Sequence, residues 1–483
     1  MSLSSITQNI SYIVLLANLI LAIGVIFFER RNVGVTWAWL MVLLFLPVVG
    51  FPLYLLFGQN LSRLKMYKIK KETEERFRGI IERQRKQFRQ HKLVYNDETA
   101  AEYDDLIYMN LSSAMSLYTQ DNDVRIFTEG TSKFEALLGE LETAKHHIHL
   151  MYYIVHDDGI GRKLLDCLAR KAAEGVAVRF LYDPVGSHRL HSRFFEPLER
   201  AGGEVAAFFP SRIPYLNFRV NYRNHRKMAI IDGKVGYIGG INVGDEYLGL
   251  VARYGFWRDT HLRLQGSAVK QMQSQFLLDW NLASGRMFEG DPYFPNFTGD
   301  GEVGMQIVSS GPDQEMEQIK NGYIRMIHLA KESVWIQTPY FIPDESLLNA
   351  IRLAALSGVD VKIMIPAEPD HKMVYWASRS YLGDLLSLGV HCLLYGKGFL
   401  HAKALVIDGK AATVGTANFD IRSFKLNFES NAFIFDRGVA EQLKRTFEED
   451  MAFCRELTEE EHLNRPRLHK IRESVTRLLS PIL

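Results

Sequence analysis

His225, Arg226 and Lys227 are followed, after four further residues, by Asp232, and the same arrangement returns as His401, Ala402, Lys403 and Asp408. Downstream, Gly239 and Asn242 recur as Gly415 and Asn418, each matched position displaced by 176 residues. With 15 histidines in the chain, one such motif is expected by chance only about a few hundredths of a time, so two copies with matched glycine and asparagine are a duplicated half-site. Histidine can serve at neutral pH as an unprotonated nucleophile or as a proton donor. Two of them facing one phosphate supply both halves of a displacement: one attacks phosphorus and the other protonates the leaving oxygen. Lys227, Lys403, the amides of Asn242 and Asn418, and backbone N–H groups after Gly239 and Gly415 are expected to bind the non-bridging oxygens and stabilise charge in the transition state. This chemistry needs no metal and no cofactor. The sequence carries no HExxH, no Walker-type glycine loop and no Cys/His cluster at zinc spacing.

The pattern resembles the phospholipase D superfamily, and within it the bacterial cardiolipin synthases. The resemblance rests on Asn224 to Lys227 with the following IDGKVGYIGGINVGDEYLG, on Trp257-Arg258-Asp259, on Phe399 to Glu429, on Thr338 to Asp344 and on Pro369 to Leu386. It spans about residues 10 to 483. Gly240 departs from the superfamily pattern, in which Ser is frequent; the second copy has Thr416. The resemblance implies transfer of a phosphatidyl group between two phosphatidylglycerol molecules through a phosphatidyl-histidine, giving cardiolipin and glycerol. It implies His225 as nucleophile and His401 as general acid, then base. Asp259 and Glu429 are candidates for accepting an imidazole N–H and fixing its tautomer. A hydrolytic phospholipase D, or another phosphodiesterase of the superfamily, would use the same residues and stays open. So does a membrane scaffold with an inactive site, which the intact motifs disfavour.

For Asp232 and Asp408, five places after each lysine and just before glycine, two readings stand. They support the site from a turn, or they lie nearer the chemistry. His188, His191, His371 and His391 belong to neither motif and read as ordinary surface or core histidines, with His371 alone in a segment that resembles the family near the cleft.

The elements that must position these residues alternate between strand and helix. His147 to Val155 reads as a strand, Arg162 to Gly175 as an amphipathic helix and Val178 to Asp183 as a strand; Ser333 to Ile342, Ser346 to Val359 and Val361 to Pro366 repeat the cycle. Both cycles precede a His-x-Lys segment, where i and i+2 on extended chain face one side. The expected fold is α/β, two pseudo-symmetric lobes with the site between them, preceded by a transmembrane hairpin. The lobes are placed at 119–295 and 296–483, after a hairpin at 1–62 and a basic linker with a helix (Ala100 to Tyr118) at 63–118.

Ile10 to Phe28 and Asn32 to Ser62 carry no charge, enough for two spans of about 20 residues each, placed near 10–28 and 33–57. No basic leader or small-residue cleavage site precedes the first, against a cleaved signal peptide. From Arg63 to Lys92 twelve Lys or Arg face four Glu, against two Arg in the loop between the spans. The positive-inside rule then places the catalytic part on the cytoplasmic side, with the N-terminus on the same side, and the resemblance implies that the membrane is that of a bacterial cell. The basic run is either a solvated linker or a surface for anionic lipid. Overall, 47% apolar and 23% charged residues exclude bulk disorder, and a net charge of +1 gives no global field for nucleic acid. Three scattered cysteines, Cys167, Cys392 and Cys454, argue against a disulfide framework. The resemblance implies phospholipid, phosphatidylglycerol in particular, as the partner. Phe208 to Arg223 reads as an aromatic packed loop or an interfacial one. The last seventeen residues place Leu468, Ile471, Val475, Leu478 and Ile482 on one helical face, for docking on the protein body or for a membrane surface.

Overall fold

The structure, a computed structural model, describes residues 12, 16, 18–23, 33–46, 49–50, 54, 78–191, 193–210, 221–288 and 290–480. The chain divides into two compact units, 1–65 with 210–222, and 66–209 with 223–483.

In the larger unit the first lobe contributes β1 (Thr119–Phe127), β2 (His147–Tyr152), β3 (Ala177–Tyr182), β4 (Glu204–Ala207), β5 (Arg223–Asn224), β6 (Met228–Ile231), β7 (Val235–Gly239), β8 (Phe256–Arg258) and β9 (His261–Gln265). The second contributes β10 (Val303–Ser310), β11 (Ser333–Gln337), β12 (Phe341–Ile342), β13 (Asp360–Pro366), β14 (His391–Tyr395), β15 (Gly398–Leu400), β16 (Ala404–Ile407), β17 (Ala411–Gly415), β18 (Phe419–Asp420), β19 (Asn427–Ile434) and β20 (Cys454–Leu457). The main sheet runs β4-β3-β2-β6-β7-β9-β1 in the first lobe and β14-β13-β11-β16-β17-β19-β10 in the second, with β20 added at the far edge. The two orders are the same under the duplication. They meet where β1 pairs antiparallel with β10, Thr119 opposite Met305.

Local sequence explains the elements. The strands β2 and β11 are buried along their whole length, as expected for strands covered on both faces. β2 pairs parallel with β3, and β11 with β13, each through a crossover helix, Gly159–Ala173 or Glu345–Leu356. Asp158 and Asp344 cap those helices, accepting the N–H of Gly161 and of Leu347 at 3.1 Å each. The β6–β7 and β16–β17 hairpins turn through Asp-Gly pairs with φ of 53° and 64° (Asp232, Gly233) and 53° and 63° (Asp408, Gly409). Two consecutive positive φ values suit this dipeptide.

Two apolar cores result. One is built on Phe134, Leu150, Leu168, Phe180 and Tyr237 of the first lobe, the other on Ile336, Leu347, Ile363, Leu405 and Phe433 of the second. The segment expected as one helix from Ala100 to Tyr118 is a 3-10 turn, Glu98–Tyr103, followed by a helix, Asp104–Ser113, and its Leu106, Ile107 and Leu111 pack into the second core.

In the smaller unit, the helix Val33–Phe45 contains no charged residue. Trp37, Met41, Leu44 and Phe45 are exposed, as are Tyr12, Leu16, Leu19 and Ile20. No helix among the described residues is long and apolar enough to cross a membrane. Large parts of the two expected spans, and of the basic run, lie outside the described residues.

Candidate active site

Each motif histidine is delivered by a short strand that crosses to the other lobe. β5 pairs parallel with the start of β19, Asn224 opposite Phe428, and β15 pairs parallel with β8, Leu400 opposite Arg258. The next backbone bond continues each pairing: His225 N–H donates to the Phe428 carbonyl at 3.0 Å, and His401 N–H to that of Arg258 at 2.7 Å. The residue after Phe428 is Glu429, and the residue after Arg258 is Asp259. The exchange of strands therefore sets each imidazole against a carboxylate of the opposite lobe. His225 Nδ1 lies 2.9 and 3.0 Å from the Glu429 oxygens, and His401 Nδ1 lies 2.7 Å from Asp259 Oδ2.

Both carboxylates are fully buried, yet their interactions with the neighbouring histidine and lysine, and hydrogen bonds donated to them, outweigh burial and hold them below the usual carboxylate range. An ionised carboxylate can only accept, so each Nδ1 carries its proton and each Nε2 presents a lone pair. Burial pulls both imidazoles down to about 4, against the pull of Glu429 on His225, and with the Lys403 charge adding to the fall at His401. Both are neutral at pH 7.

The supports differ between the copies. Thr416 Oγ1 donates to Glu429 Oε2 at 2.5 Å, and Asn427 Nδ2 donates to Oε1 at 3.1 Å. At Gly240 a Cβ would sit 2.0 Å from Asp259 Oδ1. The shorter aspartate thus meets the glycine backbone where the longer glutamate meets a hydroxyl, which is the physical content of Gly240 against Thr416.

Lys227 and Lys403 lie beside the histidines with no exposed surface, each Nζ donating to the carbonyl of its own motif histidine at 2.6 and 2.5 Å. Burial, offset in part by Glu429 and Asp259, draws Lys227 down to about 7 and Lys403 to about 8. Both lysines gain their protons as pH falls through that window, and an anion in the cleft binds better when they carry charge. Sulfate, whose charge is constant there, is expected to raise the melting temperature more at pH 6 than at pH 9, and the difference should vanish in Lys227→Met/Lys403→Met. A sulfate effect independent of pH in the unaltered protein would contradict buried, titrating lysines.

Asn242 and Asn418 line the same cleft as both histidines, with Tyr153, Tyr247 and Trp257. Each already commits one amide N–H, Asn242 to the Tyr247 hydroxyl at 3.2 Å and Asn418 to Asp420 at 3.0 Å, so fewer donors face the cleft than the four expected. The N–H groups after Gly239 and Gly415 do not face it either. Gly240 N–H donates to Thr260 O at 3.0 Å and Thr416 N–H to Ser430 O at 3.1 Å. The two glycines serve close approach: a Cβ on Gly239 would lie 2.5 Å from the Thr260 carbonyl, and one on Gly415 2.2 Å from Asn431 Oδ1.

Asp232 and Asp408 are not brought to the cleft. The Asp232 carboxylate accepts the N–H groups of Lys145, His146 and His147 at 2.9, 2.8 and 2.9 Å, and Asp408 those of Lys331, Glu332 and Ser333 at 2.9, 2.8 and 2.8 Å. Each ties the motif hairpin to the start of the antiparallel strand beside it, β2 or β11. Replacing half-buried Asp232 by Ala is expected to cost about 2 kcal/mol of stability, through three N–H groups left to water or unpaired. Turnover per folded molecule should change by less than about threefold, since neither histidine moves. A thermal melt beside an active-site-titrated rate checks both.

His188 and His371 line the cleft, whereas His391 pairs with Glu456 on an outer strand at 2.7 Å. His191 is exposed. Sequence reasoning passed over Arg226, which is buried, donates to Asp279 at 2.5 Å and reaches the Glu429 carbonyl at 3.2 Å, so that it ties the lobes behind the site. It also passed over Arg223 and Arg422, which line the cleft. Arg223 was legible, since it precedes His225 by two on extended chain. Arg422 carried no signal before the fold was known. Among the described residues no group of three or more His, Cys, Asp or Glu side chains is arranged to hold a metal ion.

Residues 137–280 and 323–451 match the family described as cardiolipin synthase, PLD-like domain, and residues 16–59 match phospholipase D-nuclease N-terminal. Along its whole length the chain is 52% identical to the major cardiolipin synthase ClsA of Bacillus subtilis, all of which is covered. It is 50% identical to a cardiolipin synthase of Listeria welshimeri over 98% of each chain, and 48% identical to that of Oceanobacillus iheyensis over all of both. Among solved structures, phosphatidylserine synthase of Haemophilus influenzae shares the fold with a TM-score of 0.60 at 15% identity, over 80% of this chain and all of that one.

Proposed function

The chain belongs to the cardiolipin synthase family of PLD-like proteins and is a phosphatidyltransferase acting on phospholipid, and we propose that it joins two phosphatidylglycerol molecules by two in-line displacements at the His225–His401 cleft. His225 Nε2 attacks the phosphorus of the first lipid. His401 protonates the departing glycerol oxygen, leaving a phosphatidyl group on His225. His401, now neutral, takes the proton of the terminal hydroxyl of a second phosphatidylglycerol as that oxygen attacks phosphorus, and His225 leaves with its original lone pair. The products are cardiolipin and glycerol, with no net proton change.

The observation that supports this reading is the cross-lobe pairing of each imidazole Nδ1 with a buried carboxylate, with both histidines lining one cleft. An acid of pKa about 4 would be unprotonated at pH 7, but a bound phosphodiester anion beside it favours the imidazolium and raises that value. Lys227 and Lys403, charged by the same anion, neutralise the phosphoryl oxygens. Trp257, Tyr247, Tyr153 and Tyr340 line the cleft and narrow the space for water as a competing acceptor. No metal or cofactor enters these steps.

The charge-free helix Val33–Phe45, with apolar side chains exposed, supports a membrane-embedded hairpin. The excess of Lys and Arg from 63 to 92 supports a catalytic part on the cytoplasmic side of the bacterial membrane.

The test is to reconstitute the full chain in phosphatidylglycerol vesicles without added metal and resolve the lipid products. Cardiolipin with an equal amount of glycerol is expected. Phosphatidic acid as the sole product would mean that water is the acceptor and the enzyme a hydrolase under those conditions.

A further inference from the structure

The 176-residue displacement that matches the catalytic residues sets Arg223 against Phe399, and Glu246 against Arg422. The duplication is therefore broken in charge. Arg223, two residues before His225 on extended chain, shares its face, and Arg422 stands on the helix Ile421–Lys425 that follows Asn418. Both line the cleft. Both act on Tyr153, whose ring lies 4.8 Å from that of His225. Burial, and then the Arg223 charge, holds the Arg422 guanidinium below its ordinary value, with Tyr153, Asp420 and Asp183 offsetting part of the effect. Glu246 also lines the cleft, next to Tyr247, whose ring is 6.4 Å from that of His401. The His225 end thus carries two guanidinium groups that the duplication does not repeat at the His401 end, with Asp420 in the same lining offsetting part of their charge.

Two guanidinium groups held together in a partly buried cleft repel, and an anion between them relieves that repulsion through charge-assisted hydrogen bonds. The reacting phosphate already has two lysines. We propose that Arg223 and Arg422 form a second phosphate subsite that holds the phosphodiester of the acceptor lipid. The three-carbon glycerol arm then runs alongside the reacting phosphorus and presents its hydroxyl at His401. This rests on the transferase reading, and it explains how two anionic lipids share one cleft.

The test compares two acceptors of the same phosphatidyl-enzyme, in Arg223→Gln and Arg422→Gln. Incorporation of labelled free glycerol into phosphatidylglycerol reads transfer to an uncharged acceptor; cardiolipin reads transfer to a charged one. The ratio of cardiolipin to incorporated label is expected to fall about 10- to 100-fold in each variant, with Arg422→Lys recovering part of it. An unchanged ratio, whether both rates fall together or neither does, overturns the subsite. Wild-type protein that incorporates glycerol but makes no cardiolipin would instead overturn the reading beneath it, that a second phosphatidylglycerol is the acceptor.

A different observation concerns the last helix, Arg467–Leu478. It docks on the body, but through its polar side. Glu473 and Thr476 are buried, while Leu468, Ile471, Val475 and Leu478 are 55, 60, 53 and 81% exposed. The docking contacts are polar or aromatic: Arg477 with Asp384 at 2.7 Å, Tyr381 with Ser480 at 3.2 Å, and the rings of Trp376 and His469 at 4.6 Å. These partners lie on the helix Lys372–Leu386, which enters the cleft wall through His371 and Val374 and exposes Met373. Exposed Arg467 and Lys470 flank the stripe. An outward apolar stripe with basic flanks, one helix from a cleft that takes anionic lipid, matches an interfacial helix.

We infer that this face lies on the anionic bilayer beside the cleft mouth. In the full-length Ile471→Cys protein, an environment-sensitive label is expected to shift to the blue in phosphatidylglycerol vesicles and to be quenched by brominated lipid, less so in phosphatidylcholine. The label reads this helix whatever else anchors the chain. A label that stays in water, or one shielded from lipid by energy transfer to a second labelled copy, overturns the inference.

Discussion

Alanine at His225 or at His401 is expected to lower cardiolipin formation by about 10⁴-fold or more, and the double variant by little beyond either single one. The reason is geometric. Each histidine supplies one half of a displacement, so with either missing the other has nothing to work with, and the residual rate reflects binding and the lysine charges alone. The two losses differ in kind. His225→Ala removes the atom that bonds to phosphorus, so no phosphatidyl-enzyme forms with any donor. His401→Ala removes the proton for the leaving oxygen, so a donor with an activated leaving group, a phosphatidyl nitrophenol for example, should still load the enzyme. Loading of the His225 variant and failure of the His401 variant would reverse the assignment.

The second large effect comes from the opposite lobes. Glu429→Gln and Asp259→Asn keep size and shape but replace an acceptor that favours the Nδ1 proton by an amide that can equally present a donor. The imidazole can then turn over its tautomer and lose its Nε2 lone pair, and turnover is expected to fall about 10³- to 10⁴-fold. Asp259→Asn should be the worse of the two. Thr416 and Asn427 both donate to the Glu429 carboxylate and would hold the amide oxygen of a glutamine in place, whereas among the described residues Asp259 accepts only the Thr260 N–H, at 2.7 Å, besides His401. Steady-state rates at saturating phosphatidylglycerol, with circular dichroism to check folding, decide it. A loss under tenfold in both would mean that the strand exchange aligns the imidazoles without help from the carboxylate charge.

Much of this site was legible in the sequence because its chemistry is duplicated. The matched spacing singled out His225, Lys227, His401 and Lys403; the two histidines line the cleft, and the two lysines are buried behind them, each donating to its own histidine's carbonyl. The strand and helix cycles from His147 and from Ser333 lie near where the hydrophobic runs place them, each helix beginning slightly earlier on an Asp cap that the sequence reading did not use. What was not legible depends on long-range geometry. Spacing alone cannot show that β5 and β15 trade lobes, so Glu429 and Asp259 entered only through resemblance. The N–H groups after Gly239 and Gly415 looked available because a sequence does not show that the carbonyls of Thr260, just before β9, and of Ser430, on β19, accept them. Asp232 lies inside the motif yet serves the hairpin turn, since a carboxylate at positive φ finds its donors on the adjacent strand. The final helix docks on the body, one of its two expected roles, but through its polar side, where contacts such as Arg477 with Asp384 hold it while the apolar face stays exposed.

The most direct test of the account is to quench the enzyme within one turnover of labelled phosphatidylglycerol and map the label by peptide mass spectrometry. The account predicts an acid-labile, base-stable phosphatidyl group on His225 that a second phosphatidylglycerol discharges as cardiolipin. Cardiolipin made at full rate with no lipid ever bound to a histidine would contradict it, because transfer would then be direct from lipid to lipid.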